Sequence, residues 1–125
     1  MLEKSIEKRL KSEVEKTIIG AACMKWVCPG YSGVPDRMIL LPGGKIVFVE
    51  LKAPGKHERA RQEYVHTRLR KLGFTVFSSV DSTVKIREVV RYCREVTGQP
   101  DPRLSVASPV IADPRDRLMK RGDRV

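Results

Sequence analysis

Residues 33–52 read GVPDRMILLPGGKIVFVELK, and the rest of the chain is organised around this stretch. An apolar run begins after Asp36, a Pro-Gly-Gly turn follows at residues 42–44, and a second apolar run ends in Glu50 and Lys52. Two apolar runs separated by a glycine-rich turn predict a β-hairpin. Asp, Glu and Lys are poor strand residues, so their placement at the strand ends indicates a role other than packing.

The strand period predicts how these charged groups are arranged. Glu50 and Lys52 point to one face, about 6.5 Å apart along the strand, and Leu51 points to the other. Asp36 and Glu50 are each about six residues from the turn, so an antiparallel hairpin brings their carboxylates to the same end. Neighbouring carboxylates repel each other, and a divalent cation is the usual remedy. Hard oxygen ligands of this kind suit Mg²⁺ or Mn²⁺.

The spelling of this stretch resembles a known nuclease signature. Residues 33–36 (GVPD) and 50–52 (ELK) look like the PD-(D/E)XK motif. The surrounding sequence is similar to the stand-alone VRR-NUC family: PGYSGVPDR before the hairpin, VELKAPG at its end, and Gln62 on the next helix. The resemblance covers residues 3–92, which is most of the chain.

The resemblance implies a metal site and names its ligands. Asp36, Glu50 and the backbone carbonyl of Leu51 would hold the metal, and the first helix would add a further glutamate. Glu7 matches that element better than Glu3, which remains the alternative.

The resemblance also implies two further catalytic groups. Lys52 would orient or help to deprotonate the attacking water, and Gln62 would reach toward the active centre. The Gly- and Pro-rich loop at residues 28–35 could grip a phosphate through its backbone amides or form an ordinary tight turn.

Apolar periodicity predicts the remaining elements. A helix is expected over 2–19, a strand over 21–27, a helix over 57–72, a strand over 74–80, and a helix capped by Asp81 or Ser82 that runs to 96. The order α-β-β-β-α-β-α predicts a small mixed α/β sheet flanked by helices, because a strand that follows a crossover helix lies parallel to its partner. The restriction-endonuclease-like fold implied by the resemblance agrees with this order.

Core and surface positions follow from the same patterns. We expect Trp26 in the core and Tyr31 as a candidate for base stacking, while His57 and His66 are expected at the surface. The buried faces of the two later helices are predicted to contain Ala60, Tyr64, Leu69 and Leu72, and then Val84, Ile86, Val89, Val90 and Cys93.

Length and charge limit the class of protein. The 125 residues suffice for one domain, and the net charge of +10 predicts a polyanionic partner, nucleic acid first. We expect a domain at 1–96 and, at 97–125, an extended or partly disordered basic tail that could instead pack on a second subunit. No signal peptide or membrane span is expected, and three free cysteines suit the reducing cytoplasm of a bacterium or phage-infected host.

The sequence therefore predicts an Mg²⁺-dependent endodeoxyribonuclease in which Mn²⁺ substitutes and no organic cofactor takes part. The resemblance implies a homodimer that cuts branched DNA, foremost four-way (Holliday) junctions, in DNA repair or recombination. An endonuclease of relaxed or flap specificity is the near alternative. A DNA-binding module that keeps the fold without catalysis is the alternative from another class.

Overall fold

The protein's three-dimensional structure, a computed structural model, describes residues 3–100. Three helices and four strands follow one another there in the predicted order. They are α1 (Glu3–Thr17), β1 (Ala22–Lys25), β2 (Arg37–Leu41), β3 (Lys45–Leu51), α2 (Ala60–Lys71), β4 (Thr75–Val80) and α3 (Thr83–Thr97). The predicted fold class, a small mixed sheet flanked by helices, is confirmed.

The strands form one sheet in the order β1-β2-β3-β4. β2 pairs antiparallel with both β1 and β3, whereas β4 runs parallel to β3. The hairpin closes with Leu41 opposite Lys45, and its open end pairs Arg37 with Val49. Asp36, one residue before Arg37, therefore lies beside the end of β3, where the hairpin was predicted to bring it.

One face of the sheet is covered by α1 and α3, and the apolar core lies beneath these helices. Ile6, Leu10 and Val14 recur at four-residue spacing along α1 and are fully buried, in agreement with the apolar periodicity that predicts this helix. They belong to the same buried cluster as Ile39 and Val49 of the sheet. Full burial of such a side chain contributes about 1.5–3 kcal/mol, so this face anchors the hairpin firmly.

The opposite face of the sheet carries α2, whose buried side chains are Val65 and His66. The prediction that Tyr64 and Leu72 face the sheet is wrong, because their residues are 52% and 70% exposed. The prediction of a surface His66 is also wrong, since His66 is fully buried and contacts Ser78 of β4. β4, the strand beneath α2, presents the hydroxyl of Ser78. The helix therefore turns His66 toward the sheet and leaves Tyr64 exposed.

The first turn of α2 also differs from the prediction. The helix begins at Ala60 rather than at residue 57, and Ala60 is exposed rather than buried. The Gln62 side-chain oxygen accepts a hydrogen bond from the Arg59 backbone N–H at 3.0 Å, which satisfies a donor at the helix start. Leu69 is half-buried, and His57 is exposed as predicted.

The buried stripe of α3 consists of Ile86, Val89, Val90 and Cys93, as predicted. Val84, predicted in the same stripe, is 64% exposed. It lies two residues before Ile86 and therefore on the other side of a helix with 3.6 residues per turn. The Ser82 hydroxyl, one of the two predicted caps, accepts the N–H of Lys85 at 3.3 Å.

The folded unit extends a little beyond the predicted boundary at 96. α3 ends at Thr97, and the Gln99 side chain then clasps the backbone of Ile19. Its amide nitrogen donates to the Ile19 carbonyl at 2.9 Å, and its oxygen accepts the Ile19 N–H at 2.8 Å. The remainder of the predicted tail, residues 101–125, lies outside the described residues.

The cysteines are free thiols, as the sequence predicts, with Cys23 and Cys93 buried and Cys28 half-buried. Burial raises the pKa of the Cys23 thiol to about 11 and that of Cys93 to about 12, so both remain protonated and unreactive at neutral pH. No helix within residues 3–100 is both long enough and apolar enough to cross a membrane.

Gly33 lies where the loop that leads to Asp36 presses against α2. Its φ is +91°, and a Cβ there would lie 2.9 Å from the Arg61 carbonyl oxygen and 3.0 Å from Cγ2 of Val65. Gly30, in the same loop, has a φ of +80°, but a Cβ there would meet nothing within 4 Å. Both positions need the conformational freedom of glycine, whereas only Gly33 also needs the absence of a side chain.

We predict that Gly33→Ala lowers the free energy of unfolding more than Gly30→Ala does. A left-handed backbone costs a non-glycine residue about 1–2 kcal/mol at either position. Overlap with α2 adds about 1–3 kcal/mol at Gly33 alone. Chemical denaturation measures both variants, and equal losses would contradict the tight contact between the loop and α2.

Candidate active site

Three predicted site residues meet at the end of β3. The Glu50 carboxylate is buried, with only 2% of the residue exposed. Its Oε2 accepts a hydrogen bond from Nε2 of Gln62 at 2.8 Å and lies 3.2 Å from Nζ of Lys52. Lys52 Nζ also donates to Oε1 of Gln62 at 2.9 Å. Glu50, Lys52 and Gln62 thus form a closed triangle in which each side chain fixes the other two.

Asp36 approaches this triangle from the start of β2. Its Oδ2 accepts the backbone N–H of Leu51 at 2.8 Å, which ties the carboxylate to the residue between Glu50 and Lys52. The Asp36 carbonyl accepts the N–H of Trp26 at 2.9 Å and so extends the pairing of β1 with β2. These two bonds hold both carboxylates at the same end of the sheet.

Both carboxylates have a raised pKa, and the Asp36 charge contributes to the shift of Glu50. Burial first, and the Asp36 charge second, raise the pKa of Glu50 to about 7 against the opposing effect of Lys52. Burial also raises the pKa of Asp36, which the hydrogen bond from Leu51 partly offsets. Both acids are therefore poorly compensated when ionised, and an additional cation at this place would favour their charged forms.

The unpartnered atoms of the site bear on whether a metal ion fits. Glu50 Oε1 is buried and makes no hydrogen bond, whereas Oε2 of the same carboxylate contacts the Gln62 amide and the Lys52 ammonium. A bare carboxylate oxygen beside Asp36 is a suitable ligand for a hard divalent cation. Within residues 3–100, however, no three acidic, histidine or cysteine side chains converge into a complete metal cage. The residues present thus fit a cation that also takes ligands from outside these side chains, such as water or a phosphate.

The glutamates of α1 lie across a cleft from this centre. Glu3, Glu7 and Asp36 line a cavity of about 210 Å³ together with Lys25 and Trp26, and we call it the acidic cleft. The charges of Glu3 and Glu7 both contribute to the raised pKa of Asp36. Both glutamates therefore face Asp36, and the geometry does not choose between Glu7 and Glu3 as the further metal ligand.

Glu7 has partners that the sequence analysis missed. Its Oε1 accepts a hydrogen bond from buried Arg37 and lies 3.7 Å from Nζ of Lys25. Arg37 directly follows Asp36, and strand alternation turns its side chain toward α1. That alternation was the available signal for this ion pair, which holds Glu7 at the rim of the acidic cleft.

Comparison with known proteins completes this description. No model of a known protein family matches the sequence. The chain is 54% identical, over 74 residues, to a protein of the Acyrthosiphon pisum secondary endosymbiont phage 1 that is described as a nuclease, p44. That match spans 59% of this chain and 77% of p44. A solved structure described as a VRR_NUC domain superposes with a TM-score of 0.65 at 31% identity, over 72% of this chain and 95% of the other.

The chain belongs to the VRR-NUC nuclease family. The family resemblance that the sequence carries is thereby confirmed, and so is its restriction-endonuclease-like fold.

Behind the VRR-NUC site, a bulge in β4 supports the strand that carries Glu50. Val49 pairs with Phe77 and Leu51 with Val80, so Ser78 and Ser79 together oppose Glu50. Ser79 adopts a φ of 53°, a conformation that costs a non-glycine residue of order 1–3 kcal/mol. Bulges of this kind often lie beside active sites, where they redirect a strand.

The bulge also anchors α2, which supplies Gln62. The Ser78 hydroxyl lies 2.9 Å from Nδ1 of buried His66 and accepts from Arg70 at 2.9 Å. The Ser79 hydroxyl donates to Glu58 at 3.2 Å, and Glu58 lies 3.4 Å from His66. Burial lowers the pKa of His66, which keeps its ring neutral in this network. The sequence analysis missed these contacts, and the available signal was the serine pair inside an apolar strand.

We predict that Glu50→Gln stabilises the metal-free VRR-NUC domain at pH 8 and has little effect at pH 5. The folded-state pKa of about 7 lies above the ordinary value of 4.5, so the native state binds the Glu50 proton more tightly than the unfolded chain does. That contribution to stability is present below pH 4.5 and is lost as the pH rises through 7. Glutamine is uncharged throughout and avoids the loss, which is on the order of 1–3 kcal/mol.

Thermal unfolding in EDTA measures this effect, at about 4–8 °C per kcal/mol for a domain of this size. Glu63→Gln, at an exposed position on α2, is the matched control and should show no gain that depends on pH. A gain from Glu50→Gln that is the same at pH 5 and pH 8 would contradict the assigned cause.

Proposed function

We propose that this VRR-NUC protein is a divalent-cation-dependent endonuclease that hydrolyses phosphodiester bonds in DNA. Mg²⁺ is the proposed cofactor, and Mn²⁺ substitutes for it. The observation that carries the proposal is the buried Glu50 carboxylate, which has one oxygen held by Gln62 and Lys52 and the other without a partner. A side chain buried in this state is costly for the fold, and a hydrolytic role explains why it is present.

Asp36 and Glu50 would hold the cation, and the Leu51 carbonyl and Glu7 are the proposed further ligands, with Glu3 as the alternative to Glu7. When bound, the cation supplies a Lewis acid that offsets phosphate charge and makes water more acidic. Both α1 glutamates face Asp36 across the acidic cleft, so either can contribute directly or through a water.

Lys52 is the proposed group that handles the attacking water. Its ammonium is held between Glu50 and Gln62, which leaves it little freedom to turn away from the phosphate. From there it orients the water or helps to remove its proton, and it stabilises charge that develops on the phosphate oxygens. Gln62 acts by position, because one amide group fixes both Glu50 and Lys52.

DNA is the proposed substrate, and branched DNA the preferred form. A net charge of +10 attracts the phosphate backbone, while the site itself is acidic and therefore attracts the cation. The similarity to stand-alone VRR-NUC proteins supports four-way junctions as the substrate and a homodimer as the active form. A two-fold dimer presents two sites to a junction that itself has two-fold symmetry.

The test compares wild type with Asp36→Asn, Glu50→Gln and Lys52→Ala on a four-way junction, a flap, a linear duplex and a single strand. In Mg²⁺ the wild type should nick the junction in symmetric pairs, and EDTA should abolish the cleavage. Each variant should lose at least about 100-fold in rate, because each removes a group that acts in the reaction itself. Lys16→Ala removes an exposed lysine from α1 and should cleave normally.

Binding in EDTA and light scattering separate the parts of the proposal. The three variants should bind junction DNA within a few-fold of wild type. An Asp36→Asn protein that cuts at the wild-type rate would overturn the assigned site, and equal cutting of every DNA would overturn the preference for junctions. A monomer at all working concentrations would contradict the dimer, and tight binding without any cleavage in metal would leave a binding module.

A further inference from the structure

Beside the site, α2 and the loop at residues 28–35 form a row of alternating aromatic rings and guanidinium groups. The Arg61 guanidinium lies 4.6 Å from the ring centre of Tyr31 and 5.3 Å from that of Tyr64. The Arg68 guanidinium lies 6.0 Å from the Tyr64 ring and donates to the Tyr31 hydroxyl at 3.4 Å. Within residues 3–100 neither arginine pairs with a carboxylate, so both positive charges are available to an anion.

A groove of about 390 Å³ opens next to this row, and we call it the apolar groove. Its walls include Trp26, Tyr31, Val65, Leu69 and Leu72, with the Arg68 side chain as its charged edge. Trp26 was expected in the core, but it is half-buried against Phe48, with ring centres 4.9 Å apart, and part of its remaining surface lines the groove. The groove therefore combines flat apolar walls with a cation at the rim.

The apolar groove and the acidic cleft share a wall. Trp26 lines both cavities, and its backbone N–H bonds to the carbonyl of Asp36 at 2.9 Å. A DNA strand whose phosphate lies at Asp36 would therefore bring an adjacent nucleotide to the mouth of the groove.

We propose that the apolar groove binds an unpaired nucleobase of the DNA strand next to the scissile phosphate, while Arg61 and Arg68 hold flanking phosphates. This inference rests on the proposed DNA nuclease function and adds a physical basis for its substrate preference. A base inside a duplex has its faces covered by its neighbours, so only an unpaired or splayed base can enter. At a branch point the continuous stacking of the duplex is interrupted, so a base there is unpaired and splayed more easily than a base inside a duplex.

The two kinds of group in the groove argue for a nucleotide as its occupant. A phosphate alone would not use the apolar walls, and an apolar peptide alone would leave the arginine charges unused. A second copy of the chain would bring the same arginines together across a two-fold axis, which like charges oppose. Aromatic rings interleaved with cations are typical of surfaces that bind unpaired nucleic acid.

The test measures binding of the full chain in EDTA by fluorescence anisotropy, with a labelled oligothymidylate and a blunt duplex of equal length. Tyr31→Ala should weaken binding of the single strand about 10-fold, because stacking on an aromatic ring contributes about 1–3 kcal/mol per base. Binding of the duplex should change less than about 2-fold, since no base stacking is lost there. Tyr31→Phe keeps the ring and should bind both DNAs like wild type.

Arginine variants separate stacking from charge. Arg68→Ala should weaken binding of the single strand more than Arg87→Ala, which removes an equal charge from an exposed position on α3. Equal losses on single strand and duplex for Tyr31→Ala would overturn the proposal in favour of simple charge attraction. Unchanged DNA binding with a changed molecular mass in light scattering would assign the groove to contact between copies and also overturn it.

These outcomes do not depend on cleavage. The binding pattern can hold in a protein that proves inactive in metal, and it can fail in one that cuts. The groove and the nuclease function are therefore tested independently.

Discussion

The carboxylate of Glu50 is held inside the fold with less compensation than a buried charge normally has. One of its oxygens is satisfied by Gln62 and Lys52, and the other has no hydrogen-bond partner. A second carboxylate, Asp36, contributes to raising its pKa to about 7. The stability of the protein and the cation binding proposed for it thus depend on the same group.

Much of the surrounding structure serves to keep this group in place. The hairpin brings Asp36 to the end of β3, and the crowded contact of Gly33 with α2 brings the helix that carries Gln62 up to the hairpin. The bulge at Ser78 and Ser79 ties the same helix to β4 from behind. The apolar core under α1 and α3 provides stabilising free energy that offsets the cost of burying the Glu50 carboxylate and of bulging β4.

The sequence predicts this framework well because its signals are local. Hairpin spacing, strand alternation and the four-residue beat of α1 depend on neighbours along the chain, and they place Asp36, Glu50 and Lys52 correctly. Errors arise where tertiary contacts decide. His66 is buried because β4 presents a bulged serine pair to it. Tyr64 is exposed, and Arg61 and Arg68 of the same helix contact its ring and also reach Tyr31 in the loop at residues 28–35. The serine pair of β4 is visible in the sequence, but the bulge there and the helix residue that packs on it depend on contacts between elements.

Membership of the VRR-NUC family accounts for the class of activity, and the geometry of the site bears on how the activity is carried out. The family fixes the nuclease class, whereas the raised pKa of Glu50 supports the proposal that the site takes up a cation. The base-binding role that we propose for the apolar groove would let a small basic domain distinguish branched DNA from a duplex without reading its sequence. Each of these depends on residues that the same hairpin and helix bring together.

The most direct test of this account is an NMR titration of the Glu50 side-chain carboxyl carbon, with and without saturating Mg²⁺. We predict that Glu50 titrates near pH 7 in the metal-free protein and at a much lower pH with the cation present. An ordinary midpoint near 4.5 that Mg²⁺ does not change would contradict the claim that the fold keeps this carboxylate poised for a metal ion.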